Sequence, residues 1–331
     1  MSGRGTARVA ILGAGAWGTA LAIQAHRAGR QVALWARDPA RAAAMAASRA
    51  NDRYLPGAVL PEGLLVTADA AEALAGAALV LAVMPAQGLG QVLAALPRFG
   101  APLLVCAKGV EAATLRLPLE VVEAARPGSV AGVLSGPNFA HEVAQGLPAA
   151  AVVASADPAL REAGLALLGS PGFRLYAGED PIGAQVGGAA KNVIAIAAGA
   201  VIGAGLGENA RAALVTRGLA ELSRLAVALG GRADTAAGLS GLGDLVLTCA
   251  GPGSRNMSLG LALGRGESLA ATLAGRAGVT EGVATAPAIV ARAASAGVEL
   301  PICAAVADLL AGRITVPDAM ARLLARPQRS E

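Results

Sequence analysis

Nothing in the chain restricts its fold more than residues 7–22, which read ARVAILGAGAWGTALA. Ala7 to Leu12 is short, apolar and β-branched in part, as suits a parallel strand buried on both faces. Gly13-x-Gly15-x-x-Gly18 follows at once, and a helical stretch runs from Trp17 to about Ala28 before Gly29 stops it. Each glycine has a mechanical reason. Gly13 permits the tight turn, Gly15 lets a pyrophosphate approach the backbone, and Gly18 lets helix and strand pack closely. The helix N-terminus then offers free N–H groups and its positive dipole end to phosphates. A bare pattern of this kind also occurs in turns that hold no ligand. Strand, glycines and helix in this order predict dinucleotide binding.

A second strand, Gln31 to Ala36, leads into Arg37-Asp38-Pro39. NAD-binding folds usually place an acidic residue here for the ribose hydroxyls. Asp38-Pro39 reads instead as an N-cap with proline at the first helical position. Arg37 is left to meet a 2′-phosphate, so NADP is favoured over NAD, although arginine also stacks on adenine in NAD enzymes. Strands are predicted at 79–84, 103–106, 130–134, 149–154 and 173–176, with helices at 69–74 and 87–96. That alternation implies an α/β doubly wound sheet of Rossmann type. From Asp180 onward only helix-length segments occur: 182–203, 209–229, 256–263, 269–274, 285–296, 303–311 and 316–324. The 331 residues therefore divide into a dinucleotide-binding domain, 1–180, and an all-helical substrate and catalytic domain, 181–331, joined at the Ala177–Pro181 turn.

Composition removes several classes. The chain is 55% hydrophobic but only 15% charged, against about 25% charged in ordinary globular chains. Much of the excess is alanine, so small side chains and not membrane spans explain it. The uncharged stretch Asn192 to Gly207 falls short of the roughly 20 apolar residues of a span and reads as a core helix. Met1–Gly5 carries no apolar signal region, which predicts a cytoplasmic protein. Cys106, Cys249 and Cys303 form no C-x-x-C, and His26 and His141 are the only histidines. Neither a disulfide framework nor a metal site is expected. The net charge of +4 is scattered and aromatics are 2%. That argues against nucleic acid and suits a small anionic substrate.

Ligands of such sheets bind outside the carboxyl ends of the strands. Lys108 follows the fourth strand, and Gly136 to Asn138 follows the fifth. Lys191 stands in Gly187-Gly188-Ala189-Ala190-Lys191-Asn192, read as the start of the first long helix of the second domain. Lysine among small apolar residues is rare without a task or a partner. Burial and a nearby cation lower its pKa and make it a workable general acid/base. A purely structural interdomain lysine is the alternative. Leu239-Ser240-Gly241-Leu242-Gly243-Asp244 and Gly253-Ser254-Arg255-Asn256 form a glycine-rich polar island. Asp244 is placed to orient hydroxyl groups. Ser254, Arg255 and Asn256 supply donors at a helix start, which makes a phosphate cradle. An N-capped helix with a solvated arginine is the plainer reading.

With GAGAWGTALA, NDRYLPG (51–57), AKGVE (107–111), SGPNFAHEV (135–143), KNVIAIAAG (191–199), LSGLGDLVLTC (239–249), SRN (254–256) and TEG (280–282) in this order, the chain resembles bacterial NAD(P)-dependent sn-glycerol-3-phosphate dehydrogenases over nearly its whole length. The resemblance implies that Trp17, Arg37, Lys108, Ala140, Arg255, Val279 and Glu281 contact the cofactor. It implies that Lys108, Gly136, Asn138, Asp244, Ser254, Arg255 and Asn256 bind substrate, and that Lys191 is the proton donor and acceptor. It also implies a homodimer and hydride transfer between NAD(P)H and dihydroxyacetone phosphate, supplying glycerol phosphate for phospholipid synthesis. Asn138 replaces the family's usual serine or threonine, and asparagine still donates and accepts. Gly251-Pro252-Gly253 is looser than the usual loop before Ser-Arg-Asn. Two rivals remain: a β-hydroxyacid or 6-phosphogluconate-type dehydrogenase, and a non-catalytic dinucleotide sensor.

Overall fold

The computed structural model describes residues 7–274 and 278–325. Its strands are β1 (Arg8–Leu12), β2 (Gln31–Trp35), β3 (Ala50–Asn51), β4 (Leu55–Val59), β5 (Leu65–Thr67), β6 (Ala77–Ala82), β7 (Leu103–Val105), β8 (Ala131–Ser135), β9 (Ala149–Ala154) and β10 (Phe173–Gly178). Eight of them make one sheet in the order β10-β9-β8-β7-β6-β1-β2-β5, and β3 and β4 form a separate antiparallel pair. From β5 to β8 every pairing is parallel. The order reverses direction between β1 and β6, which opens a crevice at the carboxyl ends of those two strands. The glycine turn leaves β1 at that point. Val9–Leu12 of β1 and Leu79–Ala82 of β6 are buried and apolar, so one sheet face packs against helix 16–27 and the other against helix 89–95 and its neighbours.

The expected doubly wound sheet is present with one change. β9 runs antiparallel to β8, and β10 runs parallel to β9. β9 therefore starts from the edge at which β8 ends. The link carrying Gly136 to Asn138 and helix Ala140–Gln145 stays on the ligand-binding edge. The reversal also delivers the end of β10 to the opposite edge, where Asp180 begins helix Pro181–Gly203. That helix then climbs along β8. Seven residues at 1.5 Å each lift Gly188 by about 10 Å, to where it meets Ser135 and the stem of Lys108. The small β3–β4 pair and edge strand β5 are not expected from the sequence. They are short, and Pro56 and Gly57 interrupt the pattern.

Beyond Gly178 the described residues form helices and no strand. The organising element is helix Pro181–Gly203. Asp180 caps it, accepting from Gly183 N at 2.8 Å and from Arg232 N at 2.8 Å. Every residue from Gly183 to Val201 is buried. A helix apolar all round belongs in the centre of a core. It is long and apolar enough to cross a membrane by composition, but its apolar stretch is mostly enclosed by the protein. Helix Arg255–Gly264 lies against it backbone to backbone. A side chain at Gly199 would collide with Met257 O, and one at Gly260 with Ile196 O. This close approach brings Asn256 against Asn192, the neighbour of Lys191.

Candidate active site

The glycine turn has the form expected of it. Gly13 holds φ +115°, and a side chain there would collide with Val83 O. A side chain at Gly18 would collide with Gly13 O. Gly15 differs: nothing lies within 4 Å of where its Cβ would be. It is the N-cap of helix Ala16–Arg27, with no side-chain cap and no acidic residue in the first turn. Open space beside bare helix N–H groups fits a dinucleotide pyrophosphate. Trp17 in that first turn packs on the N-terminal core, beside Cys106. At the end of β2, Asp38 caps helix Pro39–Ser48, accepting from Ala40 N at 3.0 Å and Arg41 N at 3.3 Å. Arg37 is exposed beside it.

Across the carboxyl edge, three charged side chains converge. Asp244 is fully buried and lies between two lysines. Lys191 Nζ is 2.5 Å from Asp244 Oδ1, and Lys108 Nζ is 2.6 Å from Asp244 Oδ2. Lys108 also donates to Gly136 O at 3.1 Å. Three local features build this cluster. Lys108 follows β7. Lys191 lies ten residues into helix Pro181–Gly203, not at its start. Asp244 follows a single π-helical turn, Leu239–Gly243, of the kind frequent at functional sites. That turn seats on the long helix where a side chain at Gly187 would collide with Ser240 O. The glycine pair Gly187-Gly188 thus marks a close approach inside the helix. Burial pulls the Lys191 pKa from 10.5 down to about 8; Asp244 opposes the shift and Lys108 adds to it. One carboxylate between two ammonium groups leaves a net positive site, suited to a developing alkoxide.

A second network ties this cluster to the polar island. Asn192 Nδ2 donates to Lys108 O at 3.3 Å, and its Oδ1 accepts from Asn256 Nδ2 at 2.9 Å. Asn256 Oδ1 accepts from Gly282 N at 3.0 Å. The amide expected to meet phosphate is therefore engaged inside the protein, and Asn192, which sequence reading overlooks, completes the chain. Ser254 caps helix Arg255–Gly264 through Met257 N at 3.2 Å. Arg255 is the first residue of that helix and is exposed, with its guanidinium against Gly278. Burial pushes the Glu281 carboxyl up to about 7, against the pull of Arg255 and the Ala86 N–H. Glu281 also neighbours Gly109, so the two domains meet here. Val279 is 47% exposed beside it. Asn138 donates to Ala150 O at 3.0 Å, which fixes its amide on β9, and Ala140 opens the next helix. Cys106 and Cys249 lie near the lysines, but burial holds both thiols up at about 12, so neither is a nucleophile.

Residues 8–161 match the family description NAD-dependent glycerol-3-phosphate dehydrogenase N-terminus, and residues 180–321 match its C-terminus. The glycerol-3-phosphate dehydrogenase [NAD(P)+] of Rhodospirillum rubrum is 54% identical over 268 residues, 80% of this chain and 77% of that one. The Acidiphilium cryptum protein of the same name is 57% identical over 258 residues, 78% of this chain and 79% of its own length. Among solved structures, the glycerol-3-phosphate dehydrogenase of Coxiella burnetii superposes with a TM-score of 0.92 at 37% identity. The superposition covers 97% of this chain and 99% of that one.

Proposed function

The chain belongs to the NAD(P)-dependent glycerol-3-phosphate dehydrogenase family, and from that membership we propose the roles of its residues. It is an oxidoreductase acting on a CH–OH group, converting dihydroxyacetone phosphate and sn-glycerol 3-phosphate into one another with NAD or NADP. A nicotinamide cofactor held in the crevice between β1 and β6 would supply or accept the hydride. Gly13, Gly15, Gly18 and the start of helix Ala16–Arg27 hold its pyrophosphate. Trp17, Arg37, Lys108, Ala140, Arg255, Val279 and Glu281 line the rest of its seat.

The observation that carries the mechanism is the buried Lys191–Asp244–Lys108 cluster. Lys191 gives its proton to the C2 oxygen as the carbonyl is reduced and takes it back in the oxidative direction. Lys108, on the other oxygen of the same carboxylate, stabilises charge on the C2 oxygen. Asp244 holds both ammonium groups in place and offsets part of their burial cost. Arg255, at a helix N-terminus, takes the substrate phosphate. Asn256 and Asn192 keep that helix in register with Lys191, while Gly136, Asn138 and Ser254 close the pocket around the substrate. Lys191, Asp244 and Arg255 come from the helical domain and meet Lys108, Gly136 and Asn138 from the sheet domain across the site. A cytoplasmic homodimer belongs to the same proposal. Three free, buried cysteines suit a reducing compartment, and exposed Leu206, Val227 and Val246 offer apolar surface to a second copy. Feeding phospholipid synthesis is the corresponding metabolic role.

Steady-state reduction of dihydroxyacetone phosphate with NADPH and NADH tests the whole reading, and turnover of neither would sink it. Arg37→Ala is expected to raise the KM for NADPH by about ten- to a hundredfold, the worth of one charge-assisted phosphate contact of about 1.5–3 kcal/mol. NADH has no 2′-phosphate and should change far less. An equal change for both cofactors removes Arg37 from the 2′-phosphate. Arg255→Ala should raise the KM for dihydroxyacetone phosphate by a similar factor. An unchanged substrate KM and kcat would place the phosphate elsewhere.

A further inference from the structure

The peptide bond between Ala14 and Gly15 is gripped from outside the main sheet. Its carbonyl, Ala14 O, accepts from Asn51 Nδ2 at 3.0 Å and from Arg41 Nη2. Asn51 belongs to β3 and is 2% exposed. Its amide also donates to Thr19 Oγ1 at 2.7 Å, and that hydroxyl donates to Gly15 O at 2.8 Å. The Arg41 guanidinium rests on the Tyr54 ring, 4.4 Å from its centroid. The NDRYLPG stretch, which has no part in the chemistry above, thus wraps one side of the glycine turn.

Among the described residues no peptide bond is cis. In a planar trans peptide the N–H points opposite to the C=O. Fixing Ala14 O against Asn51 and Arg41 therefore turns Gly15 N–H the other way. That N–H has no backbone partner among the described residues, and the space beside Gly15 is open. We propose that Asn51 is a positioning residue of the cofactor site: by holding the Ala14 carbonyl it aims the Gly15 N–H at the dinucleotide pyrophosphate. This rests on the reading of the glycine turn as the dinucleotide seat. Released from Asn51, the Ala14–Gly15 peptide rotates more freely, and each rotation that turns the carbonyl outward presents an acceptor to an anion. Both cofactors share the pyrophosphate, so both lose affinity by the same factor. That separates Asn51 from Arg37, whose loss discriminates between them.

The test is calorimetric titration of ADP-ribose, NADH and NADPH into Asn51→Leu, which keeps volume and removes both donors, and into Asn51→Ala. Melting temperatures and the KM for dihydroxyacetone phosphate at saturating cofactor are measured alongside. All three Kd values are expected to rise by a common factor of about ten to a hundred, the scale of one charge-assisted hydrogen bond, with the substrate KM unchanged. Wild-type Kd values with a lowered Tm would overturn the proposal and leave Asn51 as a structural tie. Gly15→Ala tests the underlying seat. Gly15 has φ −76° and ψ −175°, which alanine adopts without strain, so its methyl only takes the ligand's space. Undiminished affinity there would remove the seat itself. Weakened binding in Gly15→Ala with unaffected Asn51 variants would remove only the role of Asn51.

Discussion

Lys191→Ala is expected to lower kcat for dihydroxyacetone phosphate reduction by a factor on the order of 10²–10⁴, the usual worth of one positioned acid/base. NADPH affinity, measured by titration, should stay near its wild-type value, because the glycine turn and Arg37 belong to other elements. The size follows from the surroundings of the side chain. It is 10% exposed and 2.5 Å from Asp244, and burial brings its pKa down to about 8. A group poised there both gives and takes a proton near neutral pH. Lys191→Arg should fail as well, since guanidinium keeps its proton at any working pH. Wild-type kcat in Lys191→Ala would transfer the proton-transfer role to Lys108.

Asp244→Asn should be the most damaging single change for stability as well as turnover. The carboxylate is the shared counter-ion of two lysines and is fully buried. An amide has one acceptor, so one lysine meets an N–H₂ donor in its place. Removing one partner from a buried pair costs about 3–5 kcal/mol, because it leaves an uncompensated charge behind. Denaturant unfolding should show a loss of that size. Asp244→Asn combined with Lys191→Met should lose less than the sum of the two single changes, since the orphaned cation is gone. Strict additivity would mean that the two groups do not interact. Loss of the carboxylate also lowers the Lys191 pKa further, so any remaining reductive activity should decline at lower pH than in wild type.

The parts of this site legible in the sequence are those whose cause is local. The glycine turn, the Asp38 cap and the Ser254 cap each depend on residues a few positions apart, and each forms as the sequence predicts. Lys191 is identifiable as a lysine among small apolar residues, and the helix expected over 182–203 forms from the Asp180-Pro181 cap. Gly187-Gly188, read as its opening, instead lie inside it and admit Ser240 and Lys108. The reversal of β9 also escapes sequence reading, because strand direction depends on which edge the next link returns from. Asn51 and Asn192 show no local signal at all. Their partners, Ala14 O and Asn256, lie 37 and 64 residues away. Asn256 illustrates the converse: a helix-start donor by position, it is drawn inward by a backbone contact that only Gly199 and Gly260 permit.

The measurement closest to the central claim is the pH dependence of kcat/KM in both directions, in wild type and in Lys191→Arg. Reduction needs the protonated lysine, so it should fall as pH rises through the region of about 8 set by burial. Oxidation of sn-glycerol 3-phosphate needs the neutral lysine, so it should rise through the same region. Both limbs should vanish from the residual activity of Lys191→Arg. A Lys191→Arg enzyme with near-normal turnover and the same two limbs would contradict the assignment of Lys191 as the acid and base.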